Sequence, residues 1–288
     1  MARTLDFSDH RRVLWDNRYV YPVVSRRSKG LSVGVNVNPD KACNFDCPYC
    51  QVDRREPSAL KAVDLPGLVQ ELDGLLALAA SGEIWAHAPF DTVAPHLRRV
   101  NDVAFAGDAE PFSYRGLADA LEAVGGLLED HGLSGVQPIV LSNGTLLHRP
   151  ESQRALSVLD RLGGRVWFKL DAGTESYFQF VNGTTLPFKR VLDNLLAAAR
   201  ARPLVIQSMF LRFHELGPAE AEIQAWLGRL QRVIEGGGEI ELVQVYSIAR
   251  VPARPALQML PTPELERIAA AVRALGLEAE VYAGRPTG

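Results

Sequence analysis

The chain has three cysteines, Cys43, Cys47 and Cys50, all inside one eight-residue window. An odd, clustered set of thiols does not make a disulfide framework, so these read as ligands or redox groups. The run Cys43-Asn-Phe-Asp-Cys47-Pro-Tyr-Cys50 sets three thiolates on a loop short enough to wrap one iron–sulfur cluster. A [4Fe–4S] cubane ordinarily takes four thiolates. The sequence holds no fourth, which would leave one iron open to a small molecule. A catalytic metal keeps an open position for the same reason.

Two other chemistries compete for the same thiols. Structural zinc wants four protein ligands, and His10, His87, His96, His131, His148 and His214 all lie far from the loop in sequence. Cys47-Pro-Tyr-Cys50 has the spacing of a thioredoxin-like pair, but that reading leaves Cys43 without a role.

The elements that must position this loop follow a regular order. Apolar strand candidates lie at residues 33–37, 102–106, 138–141, 165–170, 204–210 and 240–247, with a last one at 279–282. Most are near-continuous apolar runs, as expected of parallel strands covered on both faces. Helical periodicity fills residues 65–80, 115–130, 151–162, 188–201, 218–234 and 263–275. The first of these follows Asp64, an N-cap candidate, and carries Pro66 in its first turn. Such alternation predicts a parallel sheet, curled into a barrel or open and doubly wound. No linker or repeat divides the chain, which reads as a short extension over 1–30 and one core domain over 31–288. At the end of the fourth run, strand alternation sets Lys169 and Asp171 on one face, opposite Phe168 and Leu170. Charges at the C-terminal end of a buried strand are costly unless they serve a site, and in α/β barrels that end builds the active site.

With Tyr49 directly before the third cysteine, the loop resembles the signature of the radical S-adenosylmethionine (radical SAM) superfamily. The resemblance runs from about Leu31 to the C-terminus, because further landmarks follow in order. Gly107-Asp108-Ala109-Glu110-Pro111 resembles the Gly-Gly-Glu segment that holds the methionyl amino group of SAM, with Asp108-Ala109 as a departure. Ser142-Asn143-Gly144-Thr145 resembles the family's Thr-Asn-Gly turn, although a plain Asn-Gly turn accounts for it equally. The family likeness implies an α/β fold, a partial (β/α)6 TIM-like barrel with an extra C-terminal strand. It also implies one [4Fe–4S] cluster on Cys43, Cys47 and Cys50, and SAM as cofactor. Tyr49, Gly107, Asp108, Glu110, Asn143, Lys169 and Asp171 are the implied cofactor or substrate contacts, and Ser208 and Gln244 join them as candidates from their place at the same end of the fifth and sixth strands. A one-electron donor such as flavodoxin or ferredoxin is the implied partner. Residues 243–252 and the Gly-Asp-Ala-Glu-Pro segment are similar to the compact group that includes wyosine-type tRNA-modifying enzymes. Those enzymes use extra cysteines for a second cluster, which this chain lacks.

Composition limits the alternatives. Hydrophobic residues make up 47% of the chain, enough for a full core. No apolar run approaches the ~18–20 residues of a membrane span, and no apolar signal core follows Met1, so a cytoplasmic, non-membrane protein is expected. A net charge of −3 argues against a general polyanion binder. Arg11, Arg12, Arg18, Arg26, Arg27 and Lys29 nonetheless crowd the first thirty residues. The expected function is reductive cleavage of SAM and hydrogen abstraction from a substrate the sequence does not name, either a small molecule or RNA. A non-catalytic iron–sulfur or metal-binding scaffold is the reading from another class.

Overall fold

The computed structural model describes residues 17–249 and 256–284. Arg11, Arg12 and the last three positions of the 243–252 segment lie outside the described residues. Internal contacts divide the chain into two compact units. The first comprises Met1–Ala42, Arg54–Leu141 and Arg149–Arg165; the second comprises Cys43–Asp53, Ser142–His148 and Val166–Gly288.

The first unit runs β1 (Val20–Ser25), β2 (Gly30–Val35), α1 (Leu65–Ser81), β3 (Val100–Phe105), α2 (Leu117–Asp130), β4 (Gln137–Ser142) and α3 (Pro150–Arg161). Strands β2, β3 and β4 pair in parallel. Every residue of β2 is buried, as its unbroken small and apolar run requires. Strand β1 pairs antiparallel with β2 from Val20↔Val35 to Ser25↔Gly30. It lies in the stretch read from sequence as an extension, and its Pro22 is tolerated because β1 pairs on one side only. The Glu71 carboxylate fixes its entry by accepting the backbone N–H groups of Arg18, Tyr19 and Val20. Helix α1 buries Leu68, Leu72, Leu75, Leu76 and Ala79, one stripe at helical spacing. Asp64 stands at its N-cap with Pro66 in the first turn, but the carboxylate makes no capping bond.

The second unit runs β5 (Arg165–Lys169), α4 (Glu175–Asn182), α5 (Phe188–Ala201), β6 (Leu204–Met209), β7 (Leu211–Phe213), α6 (Glu220–Glu235), β8 (Ile240–Tyr246), β9 (Leu257–Met259), α7 (Thr262–Ala274) and β10 (Ala279–Tyr282). Strands β5, β6, β8 and β10 are hydrogen-bonded in that order, all parallel. Their C-terminal ends therefore share one edge, which carries Lys169, Ser208 and Tyr246. Strands β7 and β9 form a separate antiparallel ribbon. The expected α/β class and the extra C-terminal strand are both present. Helix α4 and the ribbon are additions to the pattern read from sequence.

Candidate functional site

The cysteine loop belongs to the second unit. Cys43, Cys47 and Cys50 form no disulfide, and each is partly exposed. Pro48 follows Cys47 in a turn closed by the Cys50 N–H donating to the Cys47 carbonyl at 2.9 Å. Three attachments hold the loop in place. The Asp46 N–H donates to the Asn182 carbonyl at 3.0 Å, where α4 ends. Phe45 is buried and meets Phe178 edge-on at 5.7 Å, and Phe178 stacks on Phe188 at 4.4 Å. Asn44 donates to Thr145 Oγ1 at 2.6 Å and accepts from the Asn143 amide at 2.7 Å. The Asn143 turn thus touches the cysteine loop directly. Its Gly144 is left-handed at φ 75°, and a Cβ there would lie 2.2 Å from the Phe168 ring, so glycine alone fits.

Beside the loop, the end of β5 supplies a charged pair. Lys169 Nζ lies 2.6 Å from Asp171 Oδ2, with side chains 19% and 0% exposed. Tyr49 donates its hydroxyl to the same Asp171 oxygen. The Met209 N–H, at the end of β6, donates to the other at 2.8 Å. The ammonium also donates to Asn182 Oδ1, which the Cys47 sulfur approaches to 3.9 Å. It sits 5.2 Å from the Phe45 ring centre and 5.6 Å from that of Tyr49. A buried carboxylate normally costs several kcal/mol, and here a cation and two further donors offset that cost. Burial alone would lower the Lys169 pKa, but the Asp171 carboxylate, then Cys47, outweigh it and hold the ammonium above its ordinary range. Burial pushes the Cys47 thiol up, and Lys169 partly counters this. The Tyr49 phenol is raised further, by burial and then by Asp171, and remains neutral.

The remaining sequence-predicted residues are distributed as follows. Gln244 is buried on β8 and accepts from the Gln207 amide at 2.7 Å. Ser208 is fully buried, donating to the Leu170 carbonyl at 2.6 Å and accepting from the Trp226 indole at 3.1 Å. Its hydroxyl is taken up within the wall of the unit. Gly107, Asp108 and Glu110 belong to the first unit. There, Asn36 donates to the Asp108 carboxylate at 2.8 Å, and a Cβ on Gly107 would meet Asn36 Oδ1 at 2.4 Å. Glu110 is 3% exposed, and its Oε1 accepts from the Phe112 N–H at 3.3 Å.

Sequence reasoning missed Asn44, Phe45 and Asn182. The first two lie between the cysteines and carry no motif value of their own. Asn182-Gly183 ends a helix that opens on Thr174, whose hydroxyl caps the Tyr177 N–H. That pair reads from sequence only as a turn.

By its chemistry, a set of three thiols on one loop, none in a disulfide, is the kind that takes an iron–sulfur cubane. Among the described residues no three His, Cys, Asp or Glu side chains, the three cysteines included, are gathered to hold a metal ion.

No family model matches the chain. Over 176 residues it is 26% identical to a UPF0026 protein of Helicobacter pylori, covering 61% of this chain and 48% of that one. Over 184 residues it is 24% identical to the GTPase Obg of Brachyspira hyodysenteriae, covering 62% of this chain and 23% of that one. The chain thus spans about half, or less, of the length of these curated relatives. Among solved structures it is similar to a radical SAM methyltransferase from Sphaerobacter thermophilus, with TM-score 0.60, 15% identity, and coverage of 92% of this chain and 69% of that one. Spore photoproduct lyase follows at 0.59, with 11% identity over 94% of this chain and 81% of that one. TYW1 with a lysine-pyruvate adduct bound gives 0.54 and 16% identity, over 86% of this chain and 74% of that one. These likenesses show the fold, which is the α/β partial barrel of radical SAM enzymes.

Proposed function

We propose that the chain is a radical SAM enzyme, with Cys43, Cys47 and Cys50 holding one [4Fe–4S] cluster and leaving one iron open for SAM. The observation that carries this reading is the CxxxCxxC loop, fastened beside the buried Lys169–Asp171 pair in a chain of radical SAM fold. When bound, the cluster and SAM supply a one-electron reductive cleavage that yields methionine and a 5′-deoxyadenosyl radical able to take a substrate hydrogen.

The chain's own residues bind, orient and exclude water. Lys169 offsets the negative charge that three thiolates bring to the loop. Glu110, with Gly107 and Asp108, offers an anionic acceptor for the methionyl ammonium. Tyr49, Asn143, Asp171 and Gln244 are the remaining polar contacts for cofactor or substrate, with Ser208 behind them. The Phe45 and Phe178 rings keep solvent from one side of the loop. A flavodoxin- or ferredoxin-type donor supplies the electron.

The test is anaerobic reconstitution of the chain and of Cys43→Ala, Cys47→Ala and Cys50→Ala, with 5′-deoxyadenosine measured after reduction. Each substitution should abolish cleavage, since two thiolates do not hold a cubane with one open iron. Circular dichroism should remain that of the parent. Retained cleavage in any variant contradicts the reading, and unfolding of all three points instead to a structural metal site.

A second reading, in which the substrate is RNA, draws on Arg26, Arg27 and Lys29 between β1 and β2. RNA binding that falls steeply with salt would favour it over a small-molecule substrate.

A further inference from the structure

We infer that Asn182 is a positioning residue that holds the Lys169 ammonium beside Cys47 and thereby raises the reduction potential of the group Cys47 ligates. This rests on the cluster reading above.

Asn182 is 1% exposed and is the last residue of α4. Its backbone carbonyl accepts the Asp46 N–H at 3.0 Å, one residue before Cys47. Its side-chain oxygen accepts from Lys169 Nζ and lies 3.9 Å from the Cys47 sulfur. One residue therefore fixes the backbone next to a ligand and places a cation next to that ligand's sulfur. The helix does not need this side chain for its own termination, because the Gly183 N–H is satisfied by the Gln179 and Phe180 carbonyls.

Lys169 has a competing attraction. Asp171 Oδ2 lies 2.6 Å from Nζ, and it also accepts from Tyr49. Without the Asn182 oxygen, the ammonium would keep Asp171, already in contact, as its side-chain acceptor and would lose the bond that holds it on the Cys47 side. Charge and hydrogen bonding around the cluster sulfurs are among the determinants of iron–sulfur potentials. A fixed positive charge favours the reduced state, which carries one more negative charge, and the effect weakens with distance.

The experiment is a redox titration of anaerobically reconstituted protein, following the reduced cluster by electron paramagnetic resonance at matched iron content. Absence of a cluster in the parent chain would defeat the cluster reading itself, a different result from failure of this inference. In Asn182→Ala the midpoint should fall by at least the equivalent of a tenfold loss in the reduction equilibrium, 59 mV for a one-electron couple. Lys169→Met should fall at least as far, and Lys169→Arg should stay near the parent. Because Asn182 acts through Lys169, adding Asn182→Ala to Lys169→Met should cause little further change. If Asn182→Ala does not fold, Asn182→Ser serves in its place, since its hydroxyl is too short to reach Lys169. An unchanged midpoint in an iron-loaded Asn182 variant overturns the inference, and so does a shift that adds in full to that of Lys169→Met.

Discussion

Asp171 accepts from three directions at once, and its burial makes each bond matter. Lys169, the Tyr49 hydroxyl and the Met209 N–H all converge on its carboxylate. Replacing it by asparagine keeps the shape but takes the carboxylate away from the Lys169 ammonium. Breaking a buried pair from one side costs about 3–5 kcal/mol, so urea unfolding of Asp171→Asn should show a loss of that order. A loss below about 1 kcal/mol, the scale of an exposed pair, would mean that the pair is solvated. Glu110 presents the opposite case, because an amide can still accept the Phe112 N–H that the carboxylate accepts now. Glu110→Gln should therefore fold normally and assemble its cluster. It should bind SAM more weakly by about 1.5–3 kcal/mol, the range for a hydrogen bond to a charged group. Calorimetric titration reads this, and unchanged affinity would reduce residues 107–111 to a turn.

At the scale of elements, the end of α4 is the critical joint. Gly183 is left-handed at φ 54°, and a Cβ there would lie 2.1 Å from the Asp46 carbonyl oxygen. Gly183→Ala must displace the cysteine loop or the helix end, so iron retention should fall sharply while the far-ultraviolet spectrum changes little. Full iron loading in that variant would show that the loop is held elsewhere. The sequence made this joint hard to see. The parallel strands were legible because burial on both faces leaves unbroken apolar runs, and residues 188–201 and 279–282 match α5 and β10 end for end. Helix α4 has only eight residues, and β7 and β9 three each, too short for periodicity to register. Strand β1 was hidden by the arginines around it and by Pro22. Within the site, cysteine spacing marked the candidate ligand loop, and alternation set Lys169 and Asp171 on one face, where their side chains meet. Asn182 meets Cys47 across 135 positions, a relation that no local pattern encodes. Ser208 illustrates the converse, a polar residue at a strand end whose hydroxyl is used internally.

At the scale of the whole molecule, hydropathy and charge narrow the surroundings in which the site can work. Among the described residues no helix is long and apolar enough to cross a membrane. The net charge of −3 gives no general attraction for polyanions, so nucleic-acid binding would have to come from a local basic surface. The fold is shared with enzymes of different reactions and does not by itself set a chemistry, so the proposed cluster chemistry rests on the cysteine loop. The proposed reaction requires one cluster with one open iron. The direct measurement is iron and sulfide content of the anaerobically reconstituted chain, followed by reduction with dithionite in the presence of SAM. The account predicts about four irons per chain, as one cubane requires, and accumulation of 5′-deoxyadenosine and methionine. Stoichiometric zinc without iron, or a fully iron-loaded chain that leaves SAM intact, would contradict it.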